Sequence, residues 1–305
     1  MRRTIKLTAI AVSSILSLFL LLVFAAVILL DHFLEYKADE PVSYSQAVQT
    51  VLTFNFEGES EKEAKSTKES MTYGNVTVYV DEKDLDLFPV MKETLDKAKS
   101  LNEQLLGEIK ERNVDLILFS DKEEFDKMSD LENVSGFYHT FALLIGVRVD
   151  NKEEILKEKE GPLYFFERSV LHEYSHYALD RKVEVTGYGL NSYPLWFQEG
   201  LAEYIANEGT NVEPWNFSLV AFDELRTHEQ WRDARLRKMT DVYRQSYYAV
   251  SHLIEEKGEG VINEIIEATG ESGDFESSFI DVTGLTYEEL DEEVGERMNK
   301  SKLRR

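Results

Sequence analysis

The chain has 305 residues, with 58 acidic against 34 basic side chains, a formal net charge of −24 and no cysteine. That balance excludes a nucleic-acid partner, because a phosphate backbone needs a cationic surface. The missing thiols exclude disulfides, a thiolate metal site and a lipidated N-terminal cysteine.

The first distinctive segment is Leu7 to Leu30, an uncharged run interrupted only by Thr8, Ser13, Ser14 and Ser17 and preceded by Arg2, Arg3 and Lys6. As a helix it spans ~36 Å, enough for one bilayer crossing. Cations before the run, with Asp31, Glu35, Asp39 and Glu40 after it, predict residues 1–6 inside and the remainder outside. A cleaved signal peptide with small residues at Ala25-Ala26 is the competitor, but its apolar region is typically only ~7–15 residues. The reading is therefore a retained signal anchor over 7–30, facing a bacterial cell exterior. With no disulfides expected, the sequons at Asn75, Asn133, Asn216 and Asn299 read as chance matches. Residues 31–72 read as a juxtamembrane segment, and Glu57–Ser70 is charged enough to suggest a flexible linker.

The remaining chain, 73–299, reads as one α+β domain followed by a basic tail over 300–305. Val76–Val80 is β-branched and aromatic and predicts a strand. A helical pattern follows from Leu87 to Glu111, then strands at Val114–Phe119 and Leu143–Val149. From Pro194 onward helices dominate: 196–208, 241–256 and 261–269, with a last acidic helix opened by the capping box Thr286/Glu289. A small mixed sheet lobe and a helical lobe are expected, with the site in the cleft between them.

The chemistry concentrates in two motifs. His172-Glu-Tyr-Ser-His176 places two imidazoles four residues apart, one above the other on a helix face. Both can reach a single Zn²⁺ at ~2.0–2.1 Å. Glu173 flanks that face and is placed to take a proton from an activated water. Leu163, Phe166, Val170, Tyr174 and Ala178 fall on a different side, giving the helix a separate packing face. The second motif, Trp196 to Tyr204 (WFQEGLAEY), sets Glu199 and Glu203 among aromatic and aliphatic neighbours. Charges there are costly without partners. Glu199 is the leading third ligand, and Glu203, one turn on, is placed to orient a liganding imidazole. Two histidines and one carboxylate leave a coordination position open, as catalytic zinc sites do. Asp180, Arg181 and Lys182, directly after the first motif, argue against a helix buried in lipid.

HEYSH with WFQEG resembles the gluzincin metallopeptidases, the group of thermolysin and the aminopeptidase N-like enzymes. The form Trp-x-x-Glu-Gly-x-Ala-Glu-Tyr is most similar to the small peptidase MA-like members, over roughly Tyr73 to Arg297. The resemblance implies one zinc per chain on His172, His176 and Glu199, with Glu173 as general base and peptides or proteins as substrates. It also implies that an edge segment, here Gly136–Ala142, holds the substrate backbone. His139 in that segment is left out of the site. The helix Val242–Gly258 is similar to the one supplying an oxyanion donor, which assigns Tyr243, with Tyr247 as runner-up. No Gly-x-Met-Glu-Asn segment is present, so aminopeptidase specificity is not implied and an endopeptidase is expected. The competing reading is a catalytically silent zinc-binding module at the cell surface.

Overall fold

The computed structural model describes residues 17, 19–28, 58–129, 133–213 and 217–303. The chain divides into two units, Met1–Gly58 and Glu59–Arg305, and both zinc motifs lie in the second. In the first, residues 17 and 19–28 are helical. Among the described residues no helix is long and apolar enough to cross a membrane. The expected span over 7–30 lies partly outside them, as do residues 1–6 and 29–57 entirely.

The segment read as a flexible linker is instead structured. Glu59–Ser66 forms helix α1 and Glu69–Tyr73 forms strand β1. Its charges are matched from the folded body, which composition alone does not reveal. Lys65 pairs with Glu61 and Asp115, and Lys68 lies 2.9 Å from Asp81 and 3.0 Å from Glu124. β1 turns through Gly74, at a φ of +60° that glycine adopts without strain, into β2, Val76–Val80. Helix α2, Phe88–Leu106, follows a 3₁₀ turn and ends at Gly107, before the predicted Glu111. β3 is Val114–Phe119, α3 Lys122–Asp126, β4 Gly136–His139 and β5 Leu144–Arg148.

The strands form one mixed sheet in the order β1-β2-β3-β5-β4. The outer pairs are antiparallel, whereas β2-β3 and β3-β5 are parallel. Strand alternation sends Leu116 and Leu118 to the main core, while Ile117 and Phe119 pack with Ala64, Phe125 and Phe137 on the opposite face. β4 ends the row, in register Gly136↔Val147 to His139↔Leu144 with β5.

After the short α4 (Lys152–Leu156), the long helix α5, Glu160–Glu184, carries the first motif. The second motif is on α6, Leu195–Ala206. Then come α7 (His228–Leu236), α8 (Val242–Lys257), α9 (Gly260–Ser272), α10 (Phe275–Thr283) and α11 (Tyr287–Leu303). The Thr286/Glu289 capping box is made, with Glu289 N–H donating to Thr286 Oγ1 at 3.2 Å and Thr286 N–H to Glu289 Oε2 at 2.8 Å. Residues 301–303, read as part of a frayed tail, continue α11.

The sheet-rich and helical parts share a single buried core running from Val76 to Met298. Helix α5 is the reason. Phe166, Val170, Tyr174 and Ala178 are buried as the periodicity predicts, and the histidine face is covered as well, by α6.

Candidate metal centre

Two helices build the centre, and packing fixes both. The N-terminal amides of α6 are taken up by the chain before α7: Leu195 N–H donates to Arg226 O at 2.9 Å and Trp196 N–H to Leu225 O at 3.0 Å. The Trp196 ring is fully buried among Phe222, Phe275, Phe279 and Tyr287, at centroid distances of 5.0 to 6.1 Å. One turn on and on the same side of α6 as Trp196, Gly200 lets α8 come close, since a Cβ there would stand 2.6 Å from the Ser246 carbonyl oxygen. Glu199 and Glu203 are thereby aimed at α5.

His172, His176 and Glu199 each turn one donor atom toward a common point. The two Nε2 atoms are 3.2 Å apart, and Glu199 Oε2 lies 3.3 Å from His172 Nε2 and 3.7 Å from His176 Nε2. Donors at ~2.0–2.1 Å from a tetrahedral zinc stand ~3.3 Å from one another. Glu199 Oε2 is buried and has no hydrogen bond of good geometry. A buried carboxylate oxygen left without a hydrogen, facing two imidazole nitrogens at ligand spacing, fits a divalent cation. The three side chains are a cluster able to bind one zinc ion.

The electrostatics agree. Burial alone would raise the Glu199 carboxyl, but the imidazoles of His176 and His172 outweigh it and hold it well below the usual carboxylate range. Burial opposes charge on His172, yet Glu199 and Glu203 together raise its pKa to about 10. The cation that these carboxylates stabilise as a proton is the one a metal replaces.

Glu203 sits behind the donor set. Its Oε1 is 3.2 Å from His172 Nδ1 and accepts from Arg168 Nη2 at 2.6 Å, while Asn207 Nδ2 donates to Oε2 at 3.0 Å. Asn207 Oδ1 in turn accepts from the Tyr164 hydroxyl at 2.8 Å. Burial pushes Glu203 up, but His172 and Arg168 bring its pKa down to about 2. Arg168, Asn207 and Tyr164 were not singled out in the sequence. The signal was available at two of them, because Arg168 lies four residues before His172 and Asn207 four after Glu203, each on the same helix face.

Glu173 is buried, and burial raises its pKa above the ordinary value. Its carboxylate rests on β4: a Cβ on Gly136 would stand 2.6 Å from both Glu173 Cγ and Oε1. The sequence reading used Gly136 only as the first residue of the expected substrate-holding edge, not as a neighbour of Glu173. The two tyrosines separate. The Tyr243 ring centroid is 6.3 Å from that of His172 and 5.2 Å from Trp231, with its hydroxyl pKa raised first by burial and then by Glu199. Tyr247 points elsewhere, stacking on Tyr204 at 6.2 Å. His139 stacks on Phe137 at 4.5 Å and is not among the clustered donors.

Residues 153–295, from α4 to α11, match the Peptidase_M9 collagenase family model. With the donor cluster, that match supports a zinc metallopeptidase. The chain is also 34% identical over 242 residues to the uncharacterized protein YhcO of Bacillus subtilis (strain 168), across 77% of this chain and 75% of that protein. It belongs to the same family as YhcO.

Proposed function

We propose that this chain is a gluzincin-type endopeptidase, anchored in the membrane by residues 7–30 with residues 59–305 outside the cytoplasm. The observation that carries the reading is the convergence of three ligand-spaced donors with the buried acid Glu173, beside the terminal strand of a sheet. Zinc, when bound, supplies a Lewis acid that makes water nucleophilic near neutral pH and polarises a peptide carbonyl.

The chain's own residues do the rest. Glu173 takes the proton from the attacking water and passes it to the departing amine. Its raised pKa, caused by burial, suits a group that must both accept and release a proton. Glu203, held by Arg168 and Asn207, fixes the His172 ring through Nδ1. The Tyr243 hydroxyl donates to the oxygen on which negative charge develops, and burial keeps that hydroxyl protonated. The outer side of β4, the last strand in the sheet order, is the segment along which an extended peptide adds by main-chain hydrogen bonds.

Support for the anchor is sequence-based: the apolar run with Arg2, Arg3 and Lys6 before it. The helical residues Phe19, Leu20, Leu21, Leu22 and Phe24 are each more than half exposed, consistent with a lipid-facing helix. Carbonate extraction of membranes from expressing cells tests it. The account expects the chain in the membrane pellet, and a soluble mature protein starting near Val27 overturns the anchor.

The enzymatic reading is tested with the purified full-length chain against a peptide library. Wild type is expected to cleave internal bonds, chelator-treated protein to stop, and Glu173→Gln to lose ~10²–10⁴-fold in kcat. Wild-type turnover in Glu173→Gln removes the base assignment. Zinc bound without any cleavage makes the chain a silent zinc-binding module.

A further inference from the structure

Strand β4 is fastened to the motif helix along one face. The Tyr138 hydroxyl donates to Asp180 Oδ2 at 2.7 Å, and the Ser135 and Ser169 hydroxyls lie 2.8 Å apart. The other face is held from much earlier in the chain. Phe137 points away from its strand neighbours Gly136 and Tyr138. It lies so flat on β5 that its register partner Gly146 has no room for a Cβ. Its ring packs 5.5 Å from Phe125 of α3 and 6.2 Å from Phe119 of β3, and those two meet edge-on at 5.6 Å.

Helix α3, which brings Phe125 to Phe137, has five residues, too few to persist without tertiary contacts. Asp121 caps its first turn, accepting from the Glu123 and Glu124 amides. Lys68, between α1 and β1, fastens its middle. The Lys68 side chain is only 1% exposed, and its Nζ lies 3.0 Å from Glu124 Oε2 and 2.9 Å from Asp81 Oδ1. The same ammonium stands 5.6 Å from the centre of the Phe119 ring. Glu124 immediately precedes Phe125, so the cation that holds the carboxylate also sets the ring beside it. Ala64 of α1 is buried in the same apolar cluster as the three rings. One ammonium thus ties the α1–β1 segment and the turn after β2 to α3, and α3 carries the ring that backs β4.

We propose that Lys68 is a positioning residue for β4. Through Glu124 and Phe125 it keeps the strand pressed against α5, which makes the segment Glu59–Tyr73 a control point for peptide affinity. The use of β4 by substrate rests on the peptidase reading, whereas its coupling to Lys68 does not, so the test has two arms. The first follows hydrogen–deuterium exchange by mass spectrometry in the full-length wild type, Lys68→Met and Glu124→Gln. Lys68→Met keeps the stem and loses the charge. Glu124→Gln breaks only the link to α3 and leaves Lys68 paired with Asp81. Both variants are expected to speed exchange in α3 and β4 by ~2–30-fold, with α6 and α8 at wild-type rates. In Glu124→Gln the segment 59–73 should stay protected. Wild-type exchange of β4 in either variant overturns the proposal. So does acceleration spread evenly over α6 and α8, which reports global destabilisation instead of a directed contact.

The second arm measures kcat and KM on an internally quenched peptide, beside zinc content. Ser169 and Asp180 still hold the strand beside Glu173 in both variants, so kcat should stay within a few-fold and zinc should be unchanged. KM is expected to rise by ~2–30-fold, the signature of binding lost equally from ground and transition states. A wild-type KM in Lys68→Met, or a fall in kcat alone, overturns the role in peptide affinity. If wild type cleaves nothing, the peptidase reading fails, and the exchange pattern still decides whether Lys68 positions β4.

Discussion

Replacing Gly136 by alanine separates catalysis from folding more cleanly than replacing any charged residue of the centre. A Cβ at that position would stand 2.6 Å from Glu173 Cγ and Oε1 and 2.9 Å from Cδ, whereas ordinary contact begins near 3.4 Å. The difference requires Glu173 to retreat by ~0.8 Å. The yielding atoms belong to a side chain, so the backbone need not move and the fold loses little. The restricted unfolded chain even offsets part of the strain, by ~0.4–1 kcal/mol. For a proton acceptor, however, a displacement of this size is large, since a misplacement of ~1 Å can cost ~10²-fold in rate. Gly136→Ala is therefore expected to keep its zinc and its melting temperature within a few degrees and to lose ~10–10²-fold in kcat. The assay is peptide hydrolysis beside metal analysis and thermal unfolding on the same preparation. Activity within ~3-fold of wild type would refute the reasoning, because it would mean that the carboxylate is not needed where β4 holds it.

Gly200→Ala should do the opposite, lowering stability first. Its Cβ would meet the Ser246 carbonyl oxygen at 2.6 Å, and that atom is backbone, so α6 and α8 must part. Overpacking of this kind costs ~1–3 kcal/mol, read by denaturant unfolding, and an unchanged midpoint contradicts the packing account. Arg168→Met strips the cation from buried Glu203, loosens the His172 ring and should weaken zinc binding by ~10–100-fold in competition with a chromophoric chelator. Asp291 gives a pH signature. Burial, with Asp223 and Glu224 nearby, raises its pKa to about 6 although Phe222 N–H donates to it. A carboxyl whose folded pKa exceeds its unfolded value of ~3.9 favours the folded state below that value, and this contribution is lost as pH rises through about 6. Asp291→Asn should therefore be more stable than wild type at neutral pH, by ~1 kcal/mol after allowance for its half-exposed position, with the gain absent in acid. Melting curves across the acid range decide it.

The centre was legible because its chemistry is local. His172 and His176 need only one helix turn, and Glu199 and Glu203 need only the next helix, so spacing alone carries both pairs. The partners that immobilise them were less visible. Gly136 reaches Glu173 from a different element, and only the sheet register places it there. Tyr243 and Tyr247 share one face of α8 in the sequence, and their difference comes from their height along the helix, which sets Tyr243 beside His172 and Trp231 and Tyr247 beside Tyr204. The helical periodicities of α2, α6, α8 and α9 appear within a few residues of their predicted bounds, because apolar burial fixes them. The linker reading failed for the converse reason. Residues 59–73 have few large apolar groups, and their order comes from lysines matched by Asp115, Asp81 and Glu124 far along the chain. The expected small mixed sheet and the helices that follow it are both present, and residues of α5 pack into a core cluster that sheet and helices share.

The central claim is that His172, His176 and Glu199 hold one zinc ion in a catalytic site. The most direct measurement is the zinc content of the purified full-length chain, by elemental analysis after exhaustive dialysis, beside that of Glu199→Ala. Its predicted result is one zinc per wild-type chain and markedly less in Glu199→Ala, with circular dichroism unchanged. Full zinc retention in Glu199→Ala, or no zinc in the wild type after loading, would contradict it.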